Sequence, residues 1–286
     1  MDDRVLAPVP APVTAALATT LLLWSLAFVC IRVAVEHFSV PGLTLARLLV
    51  ASGALALALA APVLGVGVPR RADLPRLAAC ALTGMAGYQL LLNAGERTVD
   101  AGTANLLVNT GPVFATLLAW AMLAERPTRR TGVGMGLGFG GATLLALTHG
   151  GGVRPSADAL LVLGAAACHA TFFVLQKPLL GHYRSFEVTC YATWGAALVT
   201  LPAAGHLAHD LPGLDGGALA SLLFLGIGSS AVANATWTYA LGRIDVAVAS
   251  TTSGAPSSTA ASPASSPSSS RNPERHGLLT EPRRPR

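Results

Sequence analysis

Eight apolar stretches, each of about twenty residues and nearly free of charged side chains, follow one another along the chain. About twenty residues is the length of helix needed to cross the hydrocarbon core of a bilayer, which is roughly 30 Å thick. Helices of soluble proteins carry polar outer faces, which these stretches lack. The pattern therefore predicts an all-α polytopic membrane protein. The predicted spans, numbered first to eighth in chain order, are residues 13–34, 42–64, 76–95, 101–124, 131–148, 157–177, 187–206 and 216–241.

Composition favours the same fold class and argues against others. Hydrophobic residues make up 52% of the chain and charged residues 12%, about half the share found in soluble domains. The net charge of +5 does not indicate nucleic-acid binding, because most of the arginines lie between the spans and near the C-terminus rather than on one face. The four cysteines lie inside apolar stretches without the spacing of metal ligands. We expect no cofactor, no metal site and no nucleic-acid partner.

Basic residues near the span ends predict the orientation of the chain. One side of the membrane carries most of them, whereas the other carries Arg97, Arg154 and the two acids Asp210 and Asp215. Cytoplasmic loops of membrane proteins are enriched in lysine and arginine. We therefore expect a multi-pass protein of a bacterial plasma membrane with both termini in the cytoplasm. The basic side holds Arg4, Arg70, Arg71, Arg76, Arg126, Arg129, Arg130, Lys177, Arg184 and Arg243.

Two segments of the first half of the chain have similar segments in the second half. Residues 24–32 resemble residues 168–177, and residues 93–100 resemble residues 239–245. Both pairs are about 145 residues apart, so one internal repeat explains both. Chance similarity between apolar helices is the alternative. Five spans precede the second copy, and an odd number inverts one copy relative to the other, an arrangement typical of secondary transporters.

The same residues resemble the EamA-type carriers of the drug/metabolite transporter superfamily. The first span contains a tryptophan, an aromatic residue and then a basic residue, as in that family (Trp24 to Arg32). The fourth span contains Gly111-Pro112-Val113-Phe114 and closes with Ala124-Glu125-Arg126-Pro127, and a glycine-rich fifth span follows. The resemblance covers residues 13–245. It implies two inverted five-helix repeats and a secondary transporter.

Compared with the two five-helix repeats of that family, the second repeat of this chain is predicted to be incomplete. Residues 1–150 form the first five-helix repeat and residues 151–250 form a second repeat with only three helices. Residues 251–286 are rich in serine, proline and arginine, and such a segment buries too little apolar surface to offset its ordering entropy. We expect a disordered tail, which is either a flexible extension or an out-of-frame end of the gene.

Two functions of different class follow from these features. The first is a secondary transporter that exports small metabolites, amino acids or drug-like compounds, driven by an ion gradient, because no nucleotide-binding motif supplies another energy source. The second is a truncated, non-transporting membrane protein with a structural or regulatory role. The sequence carries no enzyme signature. Expected partners are the lipid bilayer and a small-molecule substrate, with a homo-oligomer left open.

Polar and aromatic residues inside the spans are the candidates for a substrate pathway, because polar groups in a membrane are costly and often functional. Each also has a structural interpretation. Interfacial ion pairing would explain Glu96, hydrogen bonding between helices would explain the asparagines, core packing would explain the histidine, and anchoring at the membrane interface would explain the tryptophans. Pro112 is expected to bend the fourth span beside its second asparagine. The candidates are Trp24, Glu96, Asn105, Asn109, His169 and Trp237.

Three glycines of the predicted fifth span share one helix face. Gly132, Gly136 and Gly140 are each four residues apart. Small residues at this spacing let the backbones of two helices approach closely. We predict a helix-packing role for them and no contact with substrate.

Overall fold

Regular structure in this chain is entirely helical wherever it is described. The computed structural model describes residues 10–61, 65–123 and 157–243, together with the isolated positions Gly132, Val133 and Gly136, and no strand occurs among them. Six helices in these ranges are long and apolar enough to cross a membrane. The predicted fold class, an all-helical multi-pass membrane protein, is confirmed at that level. The six are Ala11–Ala34, Val40–Ala58, Arg71–Gly95, Ala101–Leu123, Ala157–Gly181 and Gly216–Leu241.

Polar side chains fix where several of these helices begin. Ser39, Asp100 and Asp215 each accept a hydrogen bond from the backbone N–H three residues later, at 3.3, 2.9 and 2.7 Å. A capping side chain of this kind satisfies one of the N–H groups that a helix leaves without an internal partner. The second, fourth and eighth spans therefore start where the sequence changes from polar to apolar.

The predicted count of eight spans is not reached among the described residues. The seventh predicted span, 187–206, is an α-helix over Ser185–Thr200, a 3₁₀ turn over Leu201–Ala203 and a further helix over Ala204–Asp210. Pro202 lies in that turn and has no N–H to continue the α-helical ladder, which leaves a continuous α-helix of only 16 residues. The fifth predicted span, 131–148, lies outside the described residues apart from three isolated positions.

Three spans contain irregular turns near their centres. In the third span, the π-helical segment Ala81–Gly87 joins the α-helices Leu74–Cys80 and Tyr88–Gly95. The eighth span has the same plan, with a π-helical segment at its middle; its three parts are Gly216–Leu223, Phe224–Val232 and Ala233–Leu241. The fourth span breaks between its helices Ala101–Val108 and Gly111–Leu123. Pro112 causes a break here, as the sequence predicts.

The spans of the two halves of the chain pack against one another rather than forming separate bodies. The third span lies against the sixth, and the first lies against the eighth. The second span contacts the eighth, the seventh contacts the third, and the second and seventh contact each other. The fourth span lies against the sixth and the first. This arrangement places the first, third, fourth, sixth and eighth spans around a common centre.

Candidate functional site

A cavity of about 240 Å³ lies among those five spans. The first and sixth spans contribute residues from the middle of their length, whereas Trp237 lies four residues before the end of the eighth span. Among the described residues, the lining contains no lysine, arginine, aspartate or glutamate. Its residues are Leu21, Trp24, Ser25, Phe28, Tyr88, Asn105, Val108, Asn109, Gly111, Pro112, Ala166, His169, Ala170, Phe173 and Trp237.

Aromatic rings form one side of the cavity. The imidazole of His169 has its centroid 4.1 Å from the ring of Tyr88, 4.3 Å from Phe173 and 5.0 Å from Trp24. Trp237 lies 4.4 Å from Phe173 and 5.5 Å from Trp24. These separations are those of stacked and edge-to-face aromatic pairs. The five rings therefore form a continuous cluster contributed by four different spans.

Two buried polar groups of this cluster lack hydrogen-bond partners among the described residues. His169 is 6% exposed, and neither of its ring nitrogens has a partner there. Trp237 is 3% exposed, and its indole Nε1 has no acceptor there. Trp24 differs, because its Nε1 donates a hydrogen bond to the carbonyl of Ser229 at 3.3 Å. Buried polar groups are normally hydrogen-bonded, so His169 and Trp237 are available to a bound molecule.

The break in the fourth span supplies the polar side of the cavity. Helix Ala101–Val108 ends there and helix Gly111–Leu123 begins there. Because Pro112 has no N–H, the carbonyl of Val108 loses its helical donor. Asn109 donates from Nδ2 to Oδ1 of Asn105 at 3.4 Å, so the two amides form one polar strip along the cavity.

Glu96 is not part of the cavity lining. Its side chain is completely buried, and neither carboxylate oxygen has a hydrogen-bond partner among the described residues. The backbone carbonyl of Glu96 accepts a hydrogen bond from Nη1 of Arg32 at 2.6 Å. The structure thus separates Glu96 from the other five predicted pathway residues, Trp24, Asn105, Asn109, His169 and Trp237, which it brings together around one cavity.

Arg47 is a buried charged residue that the sequence analysis overlooked. Its side chain is 2% exposed, and its Nη1 donates to Oδ1 of Asn93 at 3.0 Å. Asn93 in turn donates to Oγ1 of Thr44 at 3.0 Å. Arg47 also interacts electrostatically with Glu96. The signal was available, because Arg47 is a lone basic residue inside the predicted span 42–64 and such residues are costly in a membrane.

The glycines predicted to pack helices fall partly outside the described residues. Gly132 and Gly136 are exposed helical positions, and a Cβ placed on either meets no atom within 4 Å among the residues that the structure describes. Gly140 lies outside those residues. The packing role of all three stays a prediction. In the described ranges no three histidine, cysteine, aspartate or glutamate residues converge as a metal-binding group.

Comparison with known proteins identifies the family. The model of the EamA-like transporter family matches residues 13–147 and 157–257, which is most of the chain. The chain belongs to the EamA-like transporter family. The resemblance inferred from the first, fourth and fifth spans is therefore confirmed.

Two relatives and one solved structure are similar to this chain. A protein of Streptantibioticus cattleyicolor named "Probable terminal-alkyne amino-acid exporter" is 43% identical over 81% of this chain and 77% of its own length. The uncharacterized transporter YdfC of Bacillus subtilis is 30% identical over 72% of this chain and 66% of its own. A crystal structure aligns with a TM-score of 0.66 at 19% identity, covering 84% of this chain and 83% of the other, and supports the fold.

The EamA-like family assignment establishes the general activity. The chain is a membrane transporter in contact with the lipid bilayer, it acts on a small-molecule substrate, and it is not an enzyme. The cavity lined by Trp24, Asn109 and His169 is a candidate for the substrate site of such a transporter.

Proposed function

We propose that this chain is a secondary exporter that carries small metabolites, amino acids or drug-like compounds through the central cavity, driven by an ion gradient. The observation that carries the proposal is the cavity itself, where five of the six predicted pathway residues meet. The name of the relative from Streptantibioticus cattleyicolor, an amino-acid exporter, favours amino acids within that range. Glu96, buried beside Arg32 and Arg47, is proposed as the group that takes up the coupling proton.

An inverted repeat is part of the proposal, and hydrogen bonds between spans support it. Asn93 of the third span bonds to Thr44 of the second at 3.0 Å. Thr189 of the seventh span bonds to Thr238 of the eighth at 3.5 Å. Each partner of the second pair lies 145 residues after a partner of the first, the same offset as the similar sequence segments. The second and third spans of one copy therefore correspond to the seventh and eighth spans of the other.

Two close contacts between spans are related by the same offset of 145 residues. A Cβ on Gly226 would lie 2.6 Å from Cβ of Val50, and a Cβ on Gly195 would lie 3.0 Å from Cβ of Ala81. Gly195 and Gly226 are 145 residues after Val50 and Ala81. The crossing of the second and eighth spans thus matches the crossing of the seventh and third. The two separate matches of the family model, 13–147 and 157–257, also favour two copies.

The proposal also includes the location of the chain and its orientation in the membrane. Basic residues concentrate on one side of the spans, which supports an orientation with both termini in the cytoplasm of a bacterial plasma membrane. An enzyme reporter fused after Asp215 tests this orientation, because Asp215 is then on the outer side. The expected result is a signal from a reporter active only outside the cytoplasm. A fusion active only inside would contradict the orientation.

The non-transporting alternative is favoured by one observation. The first span is far less covered than the sixth at corresponding positions: Val29 is 60% exposed, whereas Val174 is 1% exposed. A bundle with an uncovered side holds its cavity less rigidly. Measuring whether the 286-residue chain exports a substrate distinguishes the exporter from the non-transporting protein.

The deciding experiment is efflux from liposomes containing the purified 286-residue protein. Liposomes are loaded with radiolabelled amino acids or amines and placed in a pH gradient of either direction. The proposal expects efflux that exceeds protein-free liposomes and depends on the gradient. Efflux no faster than that of protein-free liposomes for every compound would favour the non-transporting alternative.

A further inference from the structure

The break in the fourth span leaves one backbone carbonyl of a cavity-lining residue, that of Val108, without its helical donor. The negative charge at the break comes from this carbonyl and not from the helix dipole, because helix Gly111–Leu123 begins at the same break and places its positive end there. Helix Ala101–Val108 ends in the cavity wall, and Pro112 withdraws the donor that the Val108 carbonyl would otherwise use. In a bundle inside a membrane, the partial negative charge of this carbonyl oxygen is screened much less than in water. The Val108 carbonyl is therefore available to accept a hydrogen bond from a cationic group.

Aromatic rings surround the same cavity and act in the same direction. The faces of Trp24, Tyr88, Phe173 and Trp237 carry the negative part of the ring quadrupole, which binds ammonium groups. No lysine or arginine in the lining repels a cation. Because no carboxylate lines the cavity either, the attraction comes from rings and carbonyls, whose partial charges suit an ammonium group attached to an apolar body better than a metal ion.

Unpartnered polar groups provide a second, independent sign of a ligand. Trp237 is more than nine-tenths buried, lines the cavity, and has an indole nitrogen without a partner among the described residues. His169 is also more than nine-tenths buried and lines the cavity, and its ring contacts there are with aromatic side chains. Leaving such groups unpaired is costly, and a bound molecule with hydrogen-bonding atoms removes the cost. An ammonium group donates hydrogen bonds, so it pairs with an unprotonated imidazole nitrogen of His169. The Nε1–H of Trp237 is itself a donor, so it pairs with an acceptor atom elsewhere on the substrate.

We propose that the cavity contains a cation subsite, in which a protonated amine of the substrate lies between the Val108 carbonyl and the rings of Trp24, Phe173 and Trp237. The cavity then takes small ammonium compounds with apolar bodies in preference to acids or alcohols of the same size. At roughly 30 Å³ for each water-sized unit, a volume of about 240 Å³ holds a ligand with on the order of eight non-hydrogen atoms. The inference rests on the proposed function, because it assumes that substrate occupies this cavity.

Binding of three matched probes to the detergent-solubilised 286-residue chain tests the subsite. Butylammonium, butyrate and butanol share one apolar body and differ in charge. Isothermal titration calorimetry at neutral pH should give butylammonium an affinity about tenfold or more above the other two, since a desolvated cation–π contact has on the order of that effect. The variant Trp24→Leu should lose the preference, whereas Trp24→Phe should keep most of it. Trp194→Leu is the matched control, because Trp194 packs beside Ala51, Leu55 and Cys190, away from the cavity.

The outcomes separate the subsite from the proposed function. Preferential binding of butylammonium that Trp24→Leu abolishes and Trp194→Leu retains supports the subsite, even if the liposomes show no efflux. Equal binding of the three probes, absence of binding, or a preference that survives Trp24→Leu overturns it. In those cases, efflux from loaded liposomes would still leave the proposed function standing.

Discussion

At the scale of single residues, the aromatic neighbours of His169 allow its packing to be separated from its hydrogen bonding. Its ring stacks between aromatic neighbours, 4.1 Å from Tyr88 and 4.3 Å from Phe173, so an apolar ring of similar size would fill the same space. What such a ring would lack is a nitrogen for the cavity. Substitution by phenylalanine therefore separates packing from chemistry, which substitution by alanine does not.

We predict that His169→Phe lowers export per folded molecule about tenfold while leaving the amount of folded protein near normal. The lost hydrogen bond between substrate and imidazole costs roughly 1–2 kcal/mol, which corresponds to such a factor. Asn109→Ala should lower export similarly, because Asn109 forms the polar strip with Asn105. Cys80→Ala is the control, since Cys80 is buried but does not line the cavity. Export by the cavity variants at the rate of the control would remove these residues from the pathway.

Arg47 and Glu96 should depend on each other for stability. Both side chains are buried, and in a medium of low dielectric constant the loss of Arg47 leaves the Glu96 carboxylate with less compensating charge nearby. We predict that Arg47→Met lowers the melting temperature in detergent strongly. The double variant Arg47→Met with Glu96→Gln should recover part of the loss, with a coupling of roughly 0.5–3 kcal/mol. Melting temperatures that fall additively would mean that the two side chains do not interact.

At the scale of elements, the fourth span depends on its first turn to hold the two asparagines. Hydrogen bonds from the side chain and backbone of Thr103 hold the pKa of Asp100 below its usual range, and burial opposes this only in part. The carboxylate is therefore charged at neutral pH and caps helix Ala101–Val108. A lowered pKa in the folded state means that this contribution is present at neutral pH. It is lost as the pH falls through the lowered value.

We predict that Asp100→Ala destabilises the protein by about 1 kcal/mol, the usual cost of losing a helix cap. Asp100→Asn keeps a capping oxygen, so at neutral pH it should destabilise the protein by only roughly a few tenths of 1 kcal/mol. The small difference between Asp100→Asn and the unmodified chain should disappear at acid pH. Thermal unfolding in detergent at two pH values measures both effects. Equal stability of Asp100→Ala and the unmodified chain at neutral pH would contradict the capping role.

Close crossings of spans give a second prediction at this scale. Gly226→Ala should destabilise the bundle by roughly 1–3 kcal/mol, since its Cβ would be 2.6 Å from Cβ of Val50 and overpacking has costs of that order. Gly195→Ala should cost less, because its Cβ would be 3.0 Å from Ala81. Adding Val50→Gly to Gly226→Ala should restore part of the stability, as measured by unfolding in detergent. A larger loss for Gly195→Ala would reverse the expected order.

Element boundaries were more predictable than contacts between elements. The first predicted span, 13–34, matches helix Ala11–Ala34, because a long apolar run specifies a membrane helix locally. The seventh predicted span, 187–206, is helical but interrupted at Leu201–Ala203, where Pro202 has no N–H to continue the α-helical ladder. The π-helical turn Ala81–Gly87 has no local signal in the sequence, since it depends on how the third span packs.

At the scale of the whole molecule, the sequence predicted which residue types would form a site but not which of them would meet. Trp24 and His169 are far apart in the chain, and only the packing of the first span near the sixth brings their rings to 5.0 Å. Tyr88 and Phe173 were missed because an aromatic residue in an apolar helix does not differ locally from a packing residue. Glu96 was grouped with the pathway residues because the end of a span does not reveal how deeply a side chain is buried.

The two halves of the proposed repeat differ in how much of their outer surface is covered. Val29 and Val174 are 145 residues apart and are identical side chains at corresponding positions of the proposed repeat. Val29 is 60% exposed, whereas Val174 is 1% exposed. The fourth span lies against the sixth, which contains Val174. No described residue covers Val29 to the same extent. In a bilayer, the exposed position contacts lipid unless a second copy of the chain covers it.

Spin labels at the two valine positions distinguish these states. The label is attached to Val29→Cys or Val174→Cys, each in a chain whose four native cysteines are replaced by alanine, and the proteins are placed in liposomes at a high ratio of lipid to protein. Molecular oxygen dissolves in lipid, so we expect frequent oxygen collisions at position 29 and few at position 174. Raising the protein-to-lipid ratio should leave the rate at position 29 unchanged if the chain is a monomer. A rate at position 29 that falls to that of position 174 would mean that another copy covers the first span.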